Sequence, residues 1–428
     1  MDFRIRSTRG QRVSLAVVRV IGACAVITAL AVAGASPARA EQNVVADWNA
    51  IASQAFVPTQ GTNPLGQSRT YAMLHAAVHD VVNAIHPRYQ LYTKGLTADP
   101  DASIDAAVAA ASRDVLVALV PDQQPLIEAA YASALAAVPD GPAKTAGIAA
   151  GKASASATLR RRQLDGANRA TQPLYVPNPA AGDYQFTAPF DLALFPGWRH
   201  ITPFAIDLSE HRLRGPLALS DALYARDFNE VKKVGRAVSS TRTAEQTEIA
   251  RFWYEDSPLG WNRIAATVVR AVRLDTWDAA RVLALMNFAM ADGFIAGFDA
   301  KYHYRFWRPV TAIRDAARDG NRFTQADPTW EPLLTTPPVP DYPSTHTVLG
   351  AAAAEVLIYA FGDTVPYSAT SLTLPGVKRQ YTGFSQAARE NGHSRIYAGI
   401  HFRRAVKDGY KQGQGIGRAV VALLPPVD

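Results

Sequence analysis

The chain has 428 residues and a formal charge of +7, but its first forty residues hold six arginines against a single aspartate, leaving the rest near +2. That remainder carries no nucleic-acid footprint. The only cysteine, Cys24, lies in the same leading segment, which excludes disulfide and thiol chemistry from everything after it.

Residues 1–40 read as a secretory signal peptide. Arg4, Arg6, Arg9 and Arg12 precede an apolar run from Val20 to Ala35, and Ala38-Arg39-Ala40 supplies a small-residue cleavage site. The run is shorter than the ~20 residues a membrane span needs, which argues against an uncleaved anchor. Cys24 as a lipobox is disfavoured because apolar residues continue well past it. The expected destination is the periplasm or the medium.

From Glu41 onward the chain is long enough for one large domain or two packed halves. An N-terminal helical half is expected over 41–164. Tyr71, Leu74, Val78, Val81, Val82 and Ile85 form one apolar helical face. Ala-rich helices follow at 106–119, 127–138 and 143–159, punctuated by Pro121, Pro139 and Pro142. Arg160, Arg161 and Arg162 read as a solvated helix end. His75 and His79, four apart beside Asp80, have the spacing to grip a metal from one helix face, but no third ligand has a recognisable spacing, so hydrogen-bonded packing is the preferred reading.

Residues 165–215 form a connection rich in proline and aromatics, among them Pro173, Tyr175, Tyr184, Phe195 and Trp198. A long stretch without regular structure is uncommon in a compact domain unless it packs as a functional loop, so it is expected to wrap the surface and overhang the site; a spacer between bundles is the alternative. Helices resume near 220–235, 244–254 and 277–300, opening a C-terminal bundle over 216–428. Leu283, Met286, Met290 and Phe294 share a face there. The most apolar stretch, Val282 to Phe298, is interrupted by Asn287 and Asp292 and reads as a buried helix, so no membrane span is expected after the leader. Strand signals are scarce and no repeat has a fixed period, giving an all-α fold of helical bundles with the site in the C-terminal one.

Three short blocks carry the chemistry: Lys301 to Pro309 (KYHYRFWRP), Pro343 to His346 (PSTH) and Ser394 to His401 (SRIYAGIH). Lys301 and Arg308, seven apart, would share one face of a helix that Pro309 ends. Ser344 lies near the N-cap of an Ala-rich helix over 347–360, where free N–H groups and the positive helix end face an anion, with His346 in the first turn. Arg395 and His401 would stand about 120° apart on one continuous helix, so Gly399 is expected to relax the backbone between them. Arginine forks, a compact ammonium and a hydroxyl suit a tetrahedral oxyanion, and two histidines add a group that bonds its central atom and one that moves a proton.

These blocks resemble the signature shared by vanadium-dependent haloperoxidases and the type 2 phosphatidic acid phosphatase (acid phosphatase) superfamily: Lys-x6-Arg-Pro, Pro-Ser-Gly-His, then Ser-Arg-x5-His-x3-Asp, in the same order. The flanks and the helical N-terminal half look most like the soluble bacterial haloperoxidase-related branch. The resemblance implies that Lys301, Arg308, Ser344 and Arg395, with the backbone of Thr345, bind the oxygens of vanadate or phosphate. It implies that His401 is the vanadium ligand, or the nucleophile that becomes phosphorylated, and that His346 is the acid/base. The leading expectation is a haloperoxidase that holds vanadate and uses hydrogen peroxide to oxidise halide to hypohalous acid. The alternative is an exported phosphatase cleaving phosphate monoesters through a phosphohistidine, and the third reading is a degenerate oxyanion-binding protein. Halide, organic acceptor and oligomeric state leave no trace in the sequence.

Two positions depart from the pattern. Thr345 stands where glycine is expected, and its Cβ would crowd a tight approach to the anion. Ala405 stands where an Asp would orient the ligand histidine, and Asp408, seven after His401, is the candidate substitute from one turn further on. Around the blocks, Asp299 and Asp341 are expected to pair with the cations, His303 to point away from Lys301, and His393 to reach the rim. Val339, Phe306 and Trp307 are candidate pocket walls whose default is core packing.

Overall fold

The structure, a computed structural model, describes residues 43–427. The expected signal peptide and Cys24 lie outside the described residues. Thirteen α-helices hold just over half of the described residues: α1 (Val44–Phe56), α2 (Pro64–Ile85), α3 (Ile104–Leu119), α4 (Gln124–Ala136), α5 (Pro142–Arg161), α6 (Ala222–Val234), α7 (Ala244–Phe252), α8 (Ser257–Ala271), α9 (Thr276–Tyr304), α10 (Pro309–Arg314), α11 (Thr345–Phe361), α12 (Phe384–Tyr397) and α13 (Arg403–Val420). The all-α expectation holds. The one exception among the described residues is a hairpin of β1 (Tyr367–Thr370) and β2 (Lys378–Tyr381), with Tyr367 opposite Tyr381.

Most helix starts are written in the local sequence. Asn43, Asn63, Ser103, Asp221 and Asp275 each accept a backbone N–H of their own first turn, and Thr243 with Gln246 closes a capping box. Such a cap contributes typically about 1 kcal/mol, enough to fix where a helix begins. Pro64, Pro142 and Pro309 stand at first helical positions, where the missing N–H costs nothing.

One hydrophobic core runs from Val45 to Leu424, so the two expected halves share their interior. Its axis is α9 packed against α2. Helix α9 is long and apolar enough to cross a membrane, but it is buried inside the fold. Its polar interruptions are satisfied: Asn287 exchanges amide bonds with Asn262, and Asp292 accepts the N–H groups of Phe204, Ala205 and Ile206 at 2.6 to 3.1 Å. Helix α2 is buried on more than the face its apolar residues predict. His75 Nε2 lies 3.0 Å from Asn49 Oδ1 and His79 Nε2 donates to Gln90 O, and burial pulls their pKa values down to about 3 and about 4. Both are packing residues.

Between α5 and α6 the chain has only short 3-10 turns, yet it is fastened throughout. Leu194 N donates to Pro338 O and Tyr184 N to Arg305 O, while Asp292 anchors the far end. The basic cluster at its start is not uniformly solvated. Arg160 and Arg161 are exposed, but Arg162 is buried, bonded to Asp165 and to the carbonyls of Thr202 and Pro203, with its guanidinium 3.7 Å from the Phe204 ring centre. Arg162 thus holds the connection against the N-terminal helices.

Candidate active site

Lys301 lies in the last turn of α9, which stops at Tyr304 because Arg305 adopts a left-handed φ of 53°. The chain then runs through Phe306 and Trp307 to Arg308, the N-cap of α10. One helix carrying both cations on one face is therefore not what forms, because Pro309 begins a helix instead of ending one. The cations still meet, by grasping successive carbonyls of one loop: Arg308 Nε donates to Val339 O (2.7 Å), and Lys301 Nζ to Pro340 O (2.6 Å) and Asp341 O (3.1 Å).

That loop leads into α11. Ser344 is its N-cap, as expected, with N–H donated to Ala405 O and Oγ accepting from Thr347 Oγ1, which leaves its own O–H free to donate. Thr345 opens the helix, and its methyl lies over Gly297 of α9, where an added Cβ would come within 2.5 Å of Thr345 Cγ2. The threonine methyl is accommodated on that side by a glycine of the neighbouring helix, and Thr345 also lines the cavity where the anion would sit. His346 Nε2 is 2.8 Å from Glu255 O. A carbonyl only accepts, so Nε2 carries the hydrogen and Nδ1 is the free acceptor. Burial first, and then Arg395, hold this imidazole well below its ordinary pKa.

Arg395, near the end of α12, donates from Nη1 to Trp253 O (3.1 Å), while its buried Nε has no partner. Burial lowers its pKa to about 10. After Tyr397 the helix breaks, with Gly399 at φ +81°, a conformation that favours glycine; an added Cβ would also strike Gly235 O at 2.2 Å. This break, expected from the sequence, turns His401 into the same cavity as Arg395, two residues before α13 begins. Arg308 Nη1 lies 3.0 Å from His401 Nε2. A guanidinium only donates, so Nε2 accepts and the neutral ring carries its hydrogen on Nδ1. Burial, then Arg308 and Lys301, depress the His401 pKa strongly.

Several expected neighbours fall elsewhere. Because His401 precedes α13, it does not share a helical face with Asp408, whose carboxylate is taken by Tyr342 Oη (2.7 Å) and Arg404 (2.7 Å). Asp299 pairs with Arg199 and Arg212, not with the site cations. Asp341 forms no ion pair with them either; its Oδ1 lies 2.9 Å from His401 Nδ1, without the alignment of a hydrogen bond, so Nδ1 and both carboxylate oxygens are buried without a partner. His303 is exposed, as its rotation from Lys301 predicts, and His393 does not line the cavity. Val339 is a wall, whereas Phe306 and Trp307 pack in a separate cluster with Tyr224 and Phe228.

The cavity has a volume of about 150 Å³. Arg308, Arg395, His346 and His401 supply its polar floor, and Leu65 of α2, Leu194 and Phe195 of the connection, and Phe294 and Phe298 of α9 its apolar walls. The connection does overhang the site. Missed in the sequence were Tyr254, whose ring centre lies 5.6 Å from the Arg395 guanidinium, and Asp256, which accepts from Gly61 N and Gln67 Nε2 and so clips the N-terminal helices to the rim. The Asp-Ser-Pro start of α8 was the available signal for Asp256. The backbone carbonyls of Val339 and Ile400, both acceptors from Arg308, carry none.

Lys301, Arg308 and Arg395 are 0, 1 and 1 % exposed, and among the described residues no carboxylate forms an ion pair with any of them. Three buried cations with no ion pair, and with the buried Asp341 carboxylate near Lys301 and Arg308 but bonded to neither, are costly unless an anion joins them. The unpartnered Arg395 Nε, the free Ser344 hydroxyl and the N-terminus of α11 add donors, so the residues fit a tetrahedral oxyanion, vanadate or phosphate.

A family model, the VCPO second helical-bundle domain, matches residues 281–425. Vanadium chloroperoxidase of Curvularia inaequalis is 27% identical over 379 residues, covering 69% of this chain and 61% of that protein, so less than two thirds of the relative's length is matched. A bacterial vanadium-dependent iodoperoxidase structure superposes with a TM-score of 0.79 at 26% identity, covering 90% of this chain and 97% of the other. A holo-type bacterial vanadium-dependent chloroperoxidase shares the fold, with a TM-score of 0.69 at 16% identity over 91% and 94% of the two chains. The family model, the relative and these structures together support the vanadium haloperoxidase superfamily for this chain.

Proposed function

We propose that this protein is an exported, vanadate-dependent haloperoxidase that oxidises halide with hydrogen peroxide, acting in the periplasm or the medium. The observation that carries this reading is the set of three buried cations without an ion pair, all near enough to depress the His401 pKa, one of which, Arg308, donates to His401 Nε2. Lys301, Arg308 and Arg395 would hold the oxygens of vanadate, with Ser344 and the first N–H groups of α11 as neutral donors. His401 Nε2 would be its protein ligand. Bound vanadate supplies a Lewis-acid centre at which hydrogen peroxide is activated toward halide without a change of vanadium oxidation state.

The net reaction turns halide, hydrogen peroxide and one proton into hypohalous acid and water, so a residue must manage a proton at the anion. His346 has that task. With Nε2–H held by Glu255 O, its Nδ1 is the atom that takes up and returns the proton. Anion binding offsets the Arg395 charge that depresses this imidazole and so raises its proton affinity when it is needed. The apolar walls exclude water from the floor and strengthen every charge interaction there.

One purified sample assayed two ways tests the reading. Loaded with orthovanadate, it should brominate or iodinate a dye in the presence of peroxide; without vanadate, release of p-nitrophenol from its phosphate should be slight. Activity confined to the second assay overturns the proposal in favour of phosphomonoester hydrolysis through a phosphohistidine at His401.

A further inference from the structure

We infer that Asp341 is the positioning residue of His401, supplying from the loop before α11 the carboxylate missing from position 405. The inference rests on the proposed function, since it assigns the group that prepares His401 Nε2 for an oxyanion. A helix-borne carboxylate is not at hand: Ala405 is buried in the cluster of Tyr224, Phe306 and Phe402, and Asp408 is committed to Tyr342 and Arg404. Among the described residues Asp341 is the one carboxylate within ion-pair distance of His401.

Both ends of the imidazole point to the same role. Arg308 Nη1 occupies Nε2 as a donor, which places the ring hydrogen on Nδ1, and Asp341 Oδ1 is 2.9 Å from that nitrogen. The backbone of Asp341 is fixed on both sides, its N–H donated to Phe306 O (2.8 Å) and its carbonyl held by Lys301 Nζ. The residue that anchors Lys301 through its main chain thereby orients His401 through its side chain. The contact has the length of a hydrogen bond but not its alignment, and rotation of the ring or carboxylate closes it when Nε2 takes a ligand, as such bonds commonly tighten on binding. A carboxylate there fixes the tautomer and raises the basicity of the ligating nitrogen.

The test compares wild type with Asp341→Asn, which keeps the volume, and Asp341→Ala. Nitrogen-15 spectra of histidine-labelled protein, with the His401 signals assigned by His401→Gln, report the tautomer, and calorimetry reports orthovanadate affinity. Wild type and both variants should show Nδ1–H, since Arg308 still donates to Nε2, but the Nδ1–H signal should shift in the Ala variant, which should also bind vanadate about 10–100-fold more weakly. The Asn variant, whose amide oxygen still accepts from Nδ1–H, should fall between them in shift and in affinity. An Ala variant with an unchanged Nδ1–H signal and unchanged vanadate affinity overturns the inference. If wild type binds neither vanadate nor phosphate, the functional proposal falls, while the comparison of Nδ1–H signals still judges Asp341 on its own.

Discussion

Replacing Arg395 by methionine should make the ligand-free protein more stable and its oxyanion site weaker. Burial lowers the Arg395 pKa from its ordinary value to about 10. Since the folded value lies below the unfolded one, the cation opposes folding, fully so at pH 7 and decreasingly above pH 10; at about 1.4 kcal/mol per pH unit this amounts to roughly 3 kcal/mol. Methionine fills most of the stem volume and removes that cost. It also removes the single bond to Trp253 O, about 1 kcal/mol, for a net gain of about 1–2 kcal/mol. In a chain of this size that raises Tm by about 1–3 °C. Loss of a charge-assisted donor costs the bound anion about 1.5–3 kcal/mol, so orthovanadate should bind roughly 10- to 150-fold more weakly. Scanning calorimetry without ligand and titration with orthovanadate read the two effects separately. A variant that melts several degrees lower yet binds vanadate as tightly would refute the reasoning, because the cation would then be serving the fold and not an anion.

Gly297→Ala places a methyl against Thr345 Cγ2 and should destabilise the fold by about 1–3 kcal/mol, most of it recovered in the Gly297→Ala, Thr345→Gly double variant; additive losses in chemical denaturation would contradict the pairing. Asp292→Asn leaves an amide NH2 facing backbone N–H groups that a carboxylate now receives, so amide exchange at Phe204, Ala205 and Ile206 should speed markedly and stability fall by about 1–3 kcal/mol; unchanged exchange would show the connection to be held elsewhere. His75 and His79 are buried with pKa values depressed to about 3 and about 4. Stability is therefore complete above pH 6.5 and falls below it, by about 1.4 kcal/mol per pH unit for each ring until its native pKa is reached. Urea denaturation from pH 7 to 4 should show this slope, and His75→Asn should reduce it.

The helices were legible because the period of apolar residues and the caps speak locally. Gly399 could be read as a break because Arg395 and His401, six apart, cannot otherwise face one cavity. The stop of α9 at Arg305 was not legible, since an arginine in the left-handed region is paid for by tertiary contacts such as its carbonyl bond to Tyr184 N. Asp408 is remote from His401 for the same reason: the chain enters α13 only at Arg403, and His401, which precedes it, meets Arg308 and Asp341 from outside that helix. The packing of the Thr345 methyl on Gly297 was not legible because the two are distant in sequence. The hairpin was hidden by its short strands, and Arg162 by the two arginines beside it that do face solvent.

The most direct test of the account is a crystal structure of the protein soaked in orthovanadate, with vanadium located by its anomalous scattering. One vanadate is expected bonded to His401 Nε2, its oxygens held by Lys301, Arg308 and Arg395, and none at that site in His401→Ala. Vanadate absent from this cavity at saturating concentration, or bound there equally without His401, would contradict it.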